Sequence, residues 1–129
     1  MAKLGIARII IFAKDMEKMA SCYGSVIGLP RVETPDDSSD FISFDAGAVH
    51  LALHRIPEDY ARGFEITDPP IARESTPMKV AFRVENVHQT RRELQSRGAT
   101  FGPVREFGAL RLCDGADPEA NIFQLSNRP

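Results

Sequence analysis

The residues of this chain that could do chemistry are few, and most are basic. Three histidines, His50, His54 and His88, are the side chains whose ordinary titration falls near neutrality. No Gly-rich phosphate loop, Cys-x-x-Cys pair or nucleophile elbow occurs. Ser21 and Ser25 fall on a helical pattern without an evident base, and Cys22 and Cys113 read as small buried hydrophobes. Glu58, Asp59, Glu65 and Asp68 read as a solvated face. What remains is a set of cations and polar groups interleaved with apolar residues at strand spacing. Residues two apart on a strand share a face. Arg8 therefore goes with Ile10 and Phe12, His50 with Ala52 and His54, Lys79 with Ala81 and Arg83, and Gln124 with Ile122 and Ser126.

The opposite faces of the same strands are apolar throughout: Ile9, Ile11 and Ala13; Val49, Leu51 and Leu53; Val80, Phe82 and Val84; Phe123 and Leu125. The apolar sets belong under helices and the mixed sets line a site. Such a site would bind an anion through Arg8, Lys79, Arg83 and, further along the wall, Arg111. An arginine can hold a carboxylate, phosphate or sulfonate with two parallel hydrogen bonds. Ile10, Phe12, Ala52, Ala81 and Ile122 would form an apolar bed for an organic ligand. His50 could donate, accept or act as a general base. A plainer role stays open for the cations: Arg8 reaching to solvent, or Lys79 pairing with a carboxylate such as Asp45.

The elements that must position these residues come as a repeat. The run Ile9–Met16 is an apolar strand closing on a helix start, and Val80–Val87 is the same phrase again. Asp15 and Asn86 stand at equivalent points as helix caps, with Gln89 at capping-box spacing, and the two helical patterns end at Gly28 and Gly98. The first helix presents Met16, Met19, Ala20, Tyr23, Val26 and Ile27 on one face. After each helix come three strand patterns: 29–34, 40–45 and 48–55 in the first copy, and 99–105, 107–113 and 121–126 in the second. Pro35 to Ser39 and Ala46-Gly47 mark turns in the first copy; Asp114-Gly115 and Asp117-Pro118 mark turns in the second. Residues 56–77, with Pro57, Pro69, Pro70 and Pro77, read as a connector. The single domain 1–129 thus divides into a module at 5–55, the connector at 56–77 and a module at 78–127. Two copies of one unit place a site between them.

Composition narrows the function. A formal net charge of −2 without a long basic run excludes a dedicated nucleic-acid binder. No apolar stretch approaches the roughly 18 residues of a membrane span. Two cysteines and no signal-peptide pattern lead to the expectation of reduced thiols in a cytoplasmic protein.

The order βαβββ, connector, βαβββ, with the apolar run ending in Asp15-Met16-Glu17-Lys18 and the closing Asp117-Pro118-Glu119-Ala120-Asn121-Ile122-Phe123-Gln124-Leu125, resembles the vicinal oxygen chelate superfamily. That group includes glyoxalase I, extradiol dioxygenases, and fosfomycin- and bleomycin-resistance proteins. Its closing motif is usually Asp-Pro-Asp-Gly-Asn, so Glu119 and Ala120 replace the second Asp and the Gly. The resemblance implies an α+β fold in which two βαβββ modules pair into a curled eight-stranded mixed sheet, a cup with helices outside. It also implies a homodimer.

In metal-dependent members four cup-facing positions carry His, Glu or Gln ligands, and the resemblance carries these onto Arg8, His50, Lys79 and Gln124. A divalent cation needs lone pairs, whereas charged Arg and Lys offer only donors. Two cations there would repel a metal by several kcal/mol at an effective dielectric of about 20. His54 cannot replace them, since four residues along a strand separate side chains by roughly 13 Å. The expectation is a cup without metal or other cofactor. Three readings follow: a protein that binds a small anionic organic molecule through Arg8, His50, Lys79, Gln124, Phe12, Arg83 and Arg111; a metal-independent lyase or isomerase with His50 as catalytic base; or a divalent-metal enzyme of the glyoxalase or dioxygenase kind.

Overall fold

The computed structural model describes residues 2–73 and 75–129. Two compact units divide it, Met1–Glu65 and Ile66–Pro129. Together they form an α+β protein with one mixed sheet in each unit, of four and five strands.

The first unit begins with β1 (Arg8–Ala13) and α1 (Met16–Ala20). The Asp15 carboxylate accepts from Lys18 N at 3.1 Å and so caps the helix. The helix then widens into a π-helical segment at Ser21–Val26, where Ile27 N donates to Cys22 O five residues back at 2.8 Å. Gly28, at φ 90°, lets the chain turn out of it. Met16, Met19 and Tyr23 are buried, as their spacing predicts, and α1 packs on the sheet. The sheet adds β2 (Arg31–Val32), β3 (Phe41–Asp45) and β4 (His50–Arg55) in the order β1-β4-β3-β2, with β1 parallel to β4. Leu51, Leu53, Phe44 and Ala13 complete the core beneath the helix. The predicted turn at 35–39 is tied to the sheet by Asp37, whose Oδ1 accepts from Thr34 Oγ1 at 2.8 Å and Ser43 Oγ at 2.9 Å. Burial pushes the Asp37 carboxyl up, but these hydrogen bonds overcome it and leave the group below its ordinary value.

The connector carries a one-turn helix, α2 (Glu58–Ala61), still within the first unit.

The second unit repeats the plan. β5 (Val80–Arg83) leads to α3 (Val87–Ser96), capped by Asn86, whose Oδ1 accepts from Gln89 N at 3.0 Å. The Gln89 side chain turns forward to Glu93 at 3.3 Å rather than back to the cap. Gly98, at φ 101°, matches Gly28. Then come β6 (Thr100–Phe101), β7 (Arg105–Phe107), β8 (Leu110–Ala116) and β9 (Ile122–Ser126). The order is β5-β9-β8-β6 with β7 against β8, and β5 runs parallel to β9 as β1 does to β4. Val87, Leu94, Phe123, Leu125 and Cys113 form this unit's core.

Two expectations are corrected here. The strands expected at 99–105 and 107–113 are three: the chain leaves β8 after Phe101, rejoins it at Arg105–Phe107 and turns back into β8 itself only at Leu110. Asp114-Gly115 is not a turn: both residues lie inside β8, opposite Gln124 and Phe123. A Cβ on Gly115 would sit 2.7 Å from the Phe101 ring and 3.0 Å from Phe123. The glycine is there to admit those rings, not to bend the chain. The turn proper is Asp117–Ala120, where Asp117 Oδ1 accepts from Glu119 N at 2.9 Å and Asn121 N at 3.0 Å.

Candidate functional site

Strand pairing confirms the alternation and sorts each unit into a helix-covered face and an open face. In the first unit Arg8 pairs with His50, Ile10 with Ala52 and Phe12 with His54, so all six side chains share the open face. β3 adds Asp45, Ser43 and Phe41 to the same rows. Ile10 and Phe12 are exposed, while Ile9 and Ile11 on the opposite side are half-buried. Arg8 does not simply reach into solvent. Its guanidinium lies 5.8 Å from the centre of the Phe41 ring, and its Nε is buried with no hydrogen-bond partner among the described residues. His50 is half-buried beside it, and among the described residues no group hydrogen-bonds its ring.

In the second unit Ala81 pairs with Gln124 and Gln124 with Asp114, so Lys79, Gln124 and Asp114 share that unit's open face. They converge on one carboxylate. Asp114 Oδ2 accepts from Lys79 Nζ at 3.0 Å and from Arg105 at 3.4 Å, and Oδ1 accepts from the Gln124 amide at 3.0 Å. Partial burial pushes the Asp114 carboxyl up, but the hydrogen bonds from Gln124 and Lys79 and the charges of Lys79 and Arg105 hold it below the usual carboxylate range. The partner of Lys79 is thus Asp114 and not Asp45, which instead accepts from Gly47 N at 2.9 Å. Asp114 and Arg105 are the residues that sequence reasoning missed. Strand parity with Gln124 would have found Asp114, had Asp114-Gly115 not resembled a turn.

Lys79 and Asp114 also line a cavity of about 570 Å³, with Thr76, Met78, Ala116 and Ile122. That volume falls within the roughly 300–1,000 Å³ of small-molecule sites. Arg73 N donates to Ala120 O at 3.0 Å and fixes the chain leading into this cavity's rim. Arg83 stands exposed on the same face at the end of β5, paired with Ser126. Arg111 is placed apart from the set. Its parity is that of Cys113, and its side chain is held by Glu106 at 3.1 Å and by the carbonyls of Gly108 and Leu110.

The model of the Glyoxalase/Bleomycin resistance protein/Dioxygenase superfamily matches residues 5–111. The chain belongs to that superfamily. Solved structures share the superfamily fold at low identity. A glyoxalase/bleomycin resistance protein/dioxygenase from Nocardioides is 18% identical, with a TM-score of 0.68, over 98% of this chain and 84% of that one. A glyoxalase/dioxygenase from Nostoc punctiforme is 18% identical, with a TM-score of 0.73, over 97% and 91%. TnmS3, an antibiotic binding protein from Streptomyces sp. CB03234, is 18% identical, with a TM-score of 0.72, over 97% and 96%. No curated protein matches the sequence.

Metal-dependent members of the superfamily would hold a divalent ion at the positions of Arg8, His50, Lys79 and Gln124. The donor set here does not fit one. Arg8 and Lys79 bring positive charge, and the carboxylate beside Gln124 already accepts from three side chains. Among the described residues no three His, Cys, Asp or Glu side chains gather as a ligand set. No helix of the described residues is long and apolar enough to cross a membrane.

Proposed function

We propose that this superfamily member binds a small organic anion and holds it by charge and apolar contact, without a metal. The observation that carries the reading is the closure of Lys79 and Gln124 on Asp114. A cation and an amide at two of the four metal-ligand positions are committed to a protein carboxylate. An ammonium so held keeps further N–H donors for a ligand oxygen, since Lys carries three. The first unit carries a positive group on its own open face, Arg8. The 570 Å³ cavity beside Lys79 offers the volume, and the likeness to an antibiotic binding protein is in keeping with it.

Catalysis by His50 is the weaker reading. A general base needs a second group to fix its ring and tautomer, and His50 has none among the described residues.

The test is metal analysis of protein purified without chelator, with titration of the fluorescent anion 8-anilinonaphthalene-1-sulfonate. The expected result is no stoichiometric zinc, nickel, manganese or iron, and saturable binding that EDTA leaves unchanged, that salt weakens and that Lys79→Ala weakens. One metal ion per chain, or binding that EDTA abolishes, overturns the proposal.

A further inference from the structure

The open face of the first unit is built in three cross-strand rows, about 7 Å apart. Pairing gives Arg8–His50–Asp45, then Ile10–Ala52–Ser43, then Phe12–His54–Phe41. The first row is polar. The middle row has a closed floor, since Ala52 and Ser43 are both 0% exposed. The third is aromatic: His54 stacks on Phe12 at 5.6 Å between ring centres and meets Phe41 edge-on at 5.5 Å. The Arg8 guanidinium leans from the first row to the third and comes to rest 5.8 Å from the centre of Phe41.

Two things on this face are left uncompensated. The buried Arg8 Nε donates to nothing among the described residues, and a buried donor left unpaired is destabilising. Among the described residues no carboxylate forms an ion pair with it. Beside it, Phe12 is 60% exposed and Ile10 45% exposed. Single exposed apolar side chains need no explanation, but a continuous aromatic row next to a cation without an ion pair does.

We infer that this face takes a planar aromatic carboxylate, with its carboxylate on Arg8 and its ring against Phe12 and Ile10. The inference rests on the ligand-binding reading above and names the ligand class. A carboxylate presents two oxygens in the plane of the guanidinium and can accept from two of its N–H groups in parallel. An aromatic ring extends the Phe12–His54 stack in the offset or edge-on geometry such rings prefer. An aliphatic acid would satisfy the charge and leave the rings wet. A neutral arene, or an apolar surface of a second copy, would cover the rings and bury the charge unpaired, which costs more than it returns.

The experiment titrates the full chain by calorimetry with 2-naphthoate, cyclohexanecarboxylate and 2-naphthylmethanol. The expected result is 2-naphthoate binding at least about tenfold more tightly than either of the others, one such factor for each missing contact. Arg8→Ala and Phe12→Ala, checked for folding by circular dichroism, should each weaken 2-naphthoate by about tenfold or more. Equal binding of the two acids with no effect of Phe12→Ala would sink the aromatic assignment and leave anion binding standing. Failure of all three probes while 8-anilinonaphthalene-1-sulfonate still binds through Lys79 would overturn this site alone. Dissociation of an oligomer by Phe12→Ala without ligand would identify the row as a contact between copies, and would equally overturn it.

Discussion

Lys79 Nζ and Asp114 Oδ2 stand 3.0 Å apart, and their pairing sets the electrostatics of the second unit's open face. With Arg105 at 3.4 Å, one carboxylate serves two cations, so the cluster keeps a net positive charge.

Asp114→Asn removes the charge and preserves the shape. The native Asp114 carboxyl is depressed, so it contributes stability in full above its unfolded value of about 3.9. That contribution is lost as pH falls through the lower folded value. Urea unfolding followed from neutral pH into this acid range should show a shallower loss of stability in the variant than in the wild type. Some acid sensitivity should remain, because Asp37 is depressed as well. An unchanged acid slope would mean that Asp114 is not linked to folding.

Ala120→Gly should stabilise the protein. Ala120 has φ 69°, left-handed backbone that costs a residue with a Cβ about 1–2 kcal/mol. Losing its buried methyl and gaining chain entropy in the unfolded state offset most of this, so the net gain is at most about 0.7 kcal/mol. A rise in the urea midpoint at constant m-value is the readout; a fall would show that the methyl's packing outweighs the strain.

Gly115→Ala tests the opposite demand. The added methyl would strike the Phe101 ring at 2.7 Å, and overpacking of this kind costs about 1–3 kcal/mol. Phe101→Leu in the same chain should recover part of the loss. A Gly115→Ala variant as stable as the wild type would show that the ring moves aside freely.

The two helix caps allow a paired measurement. Asp15→Ala and Asn86→Ala should each cost about 1 kcal/mol, since each side chain accepts from the backbone three residues on. Thermal unfolding of both variants checks this, and a loss at only one site would mark the other cap as idle.

The repeated framework was plain in the sequence because its signals are local. Asp15 and Asn86 cap, Gly28 and Gly98 stop, and apolar alternation assigns Leu51, Leu53, Phe123 and Leu125 to covered faces. The π-helical widening at Ser21–Val26 was hidden, because Met19 and Tyr23 sit at a spacing that an ordinary helix also satisfies. Asp114 was hidden for a different reason. Asp-Gly is a strong turn signal on its own, and only the Phe101 and Phe123 rings, which press on Gly115, reveal why a strand needs it. Of the candidate site, the open-face positions of Arg8, His50, Lys79 and Gln124 followed from parity alone. What each of them bonds to did not, since Lys79 and Asp114 are brought together by strand order and not by nearness in the chain.

In both units the opening strand lies alongside the closing one, β1 with β4 and β5 with β9. A nascent chain leaving the ribosome therefore carries Arg8–Ala13 without a mate until Arg55 has emerged, and Val80–Arg83 waits likewise for Ser126. Each half can only snap shut as its last few residues arrive, so a truncation by half a dozen residues at either closing strand would cost the whole half rather than its tip.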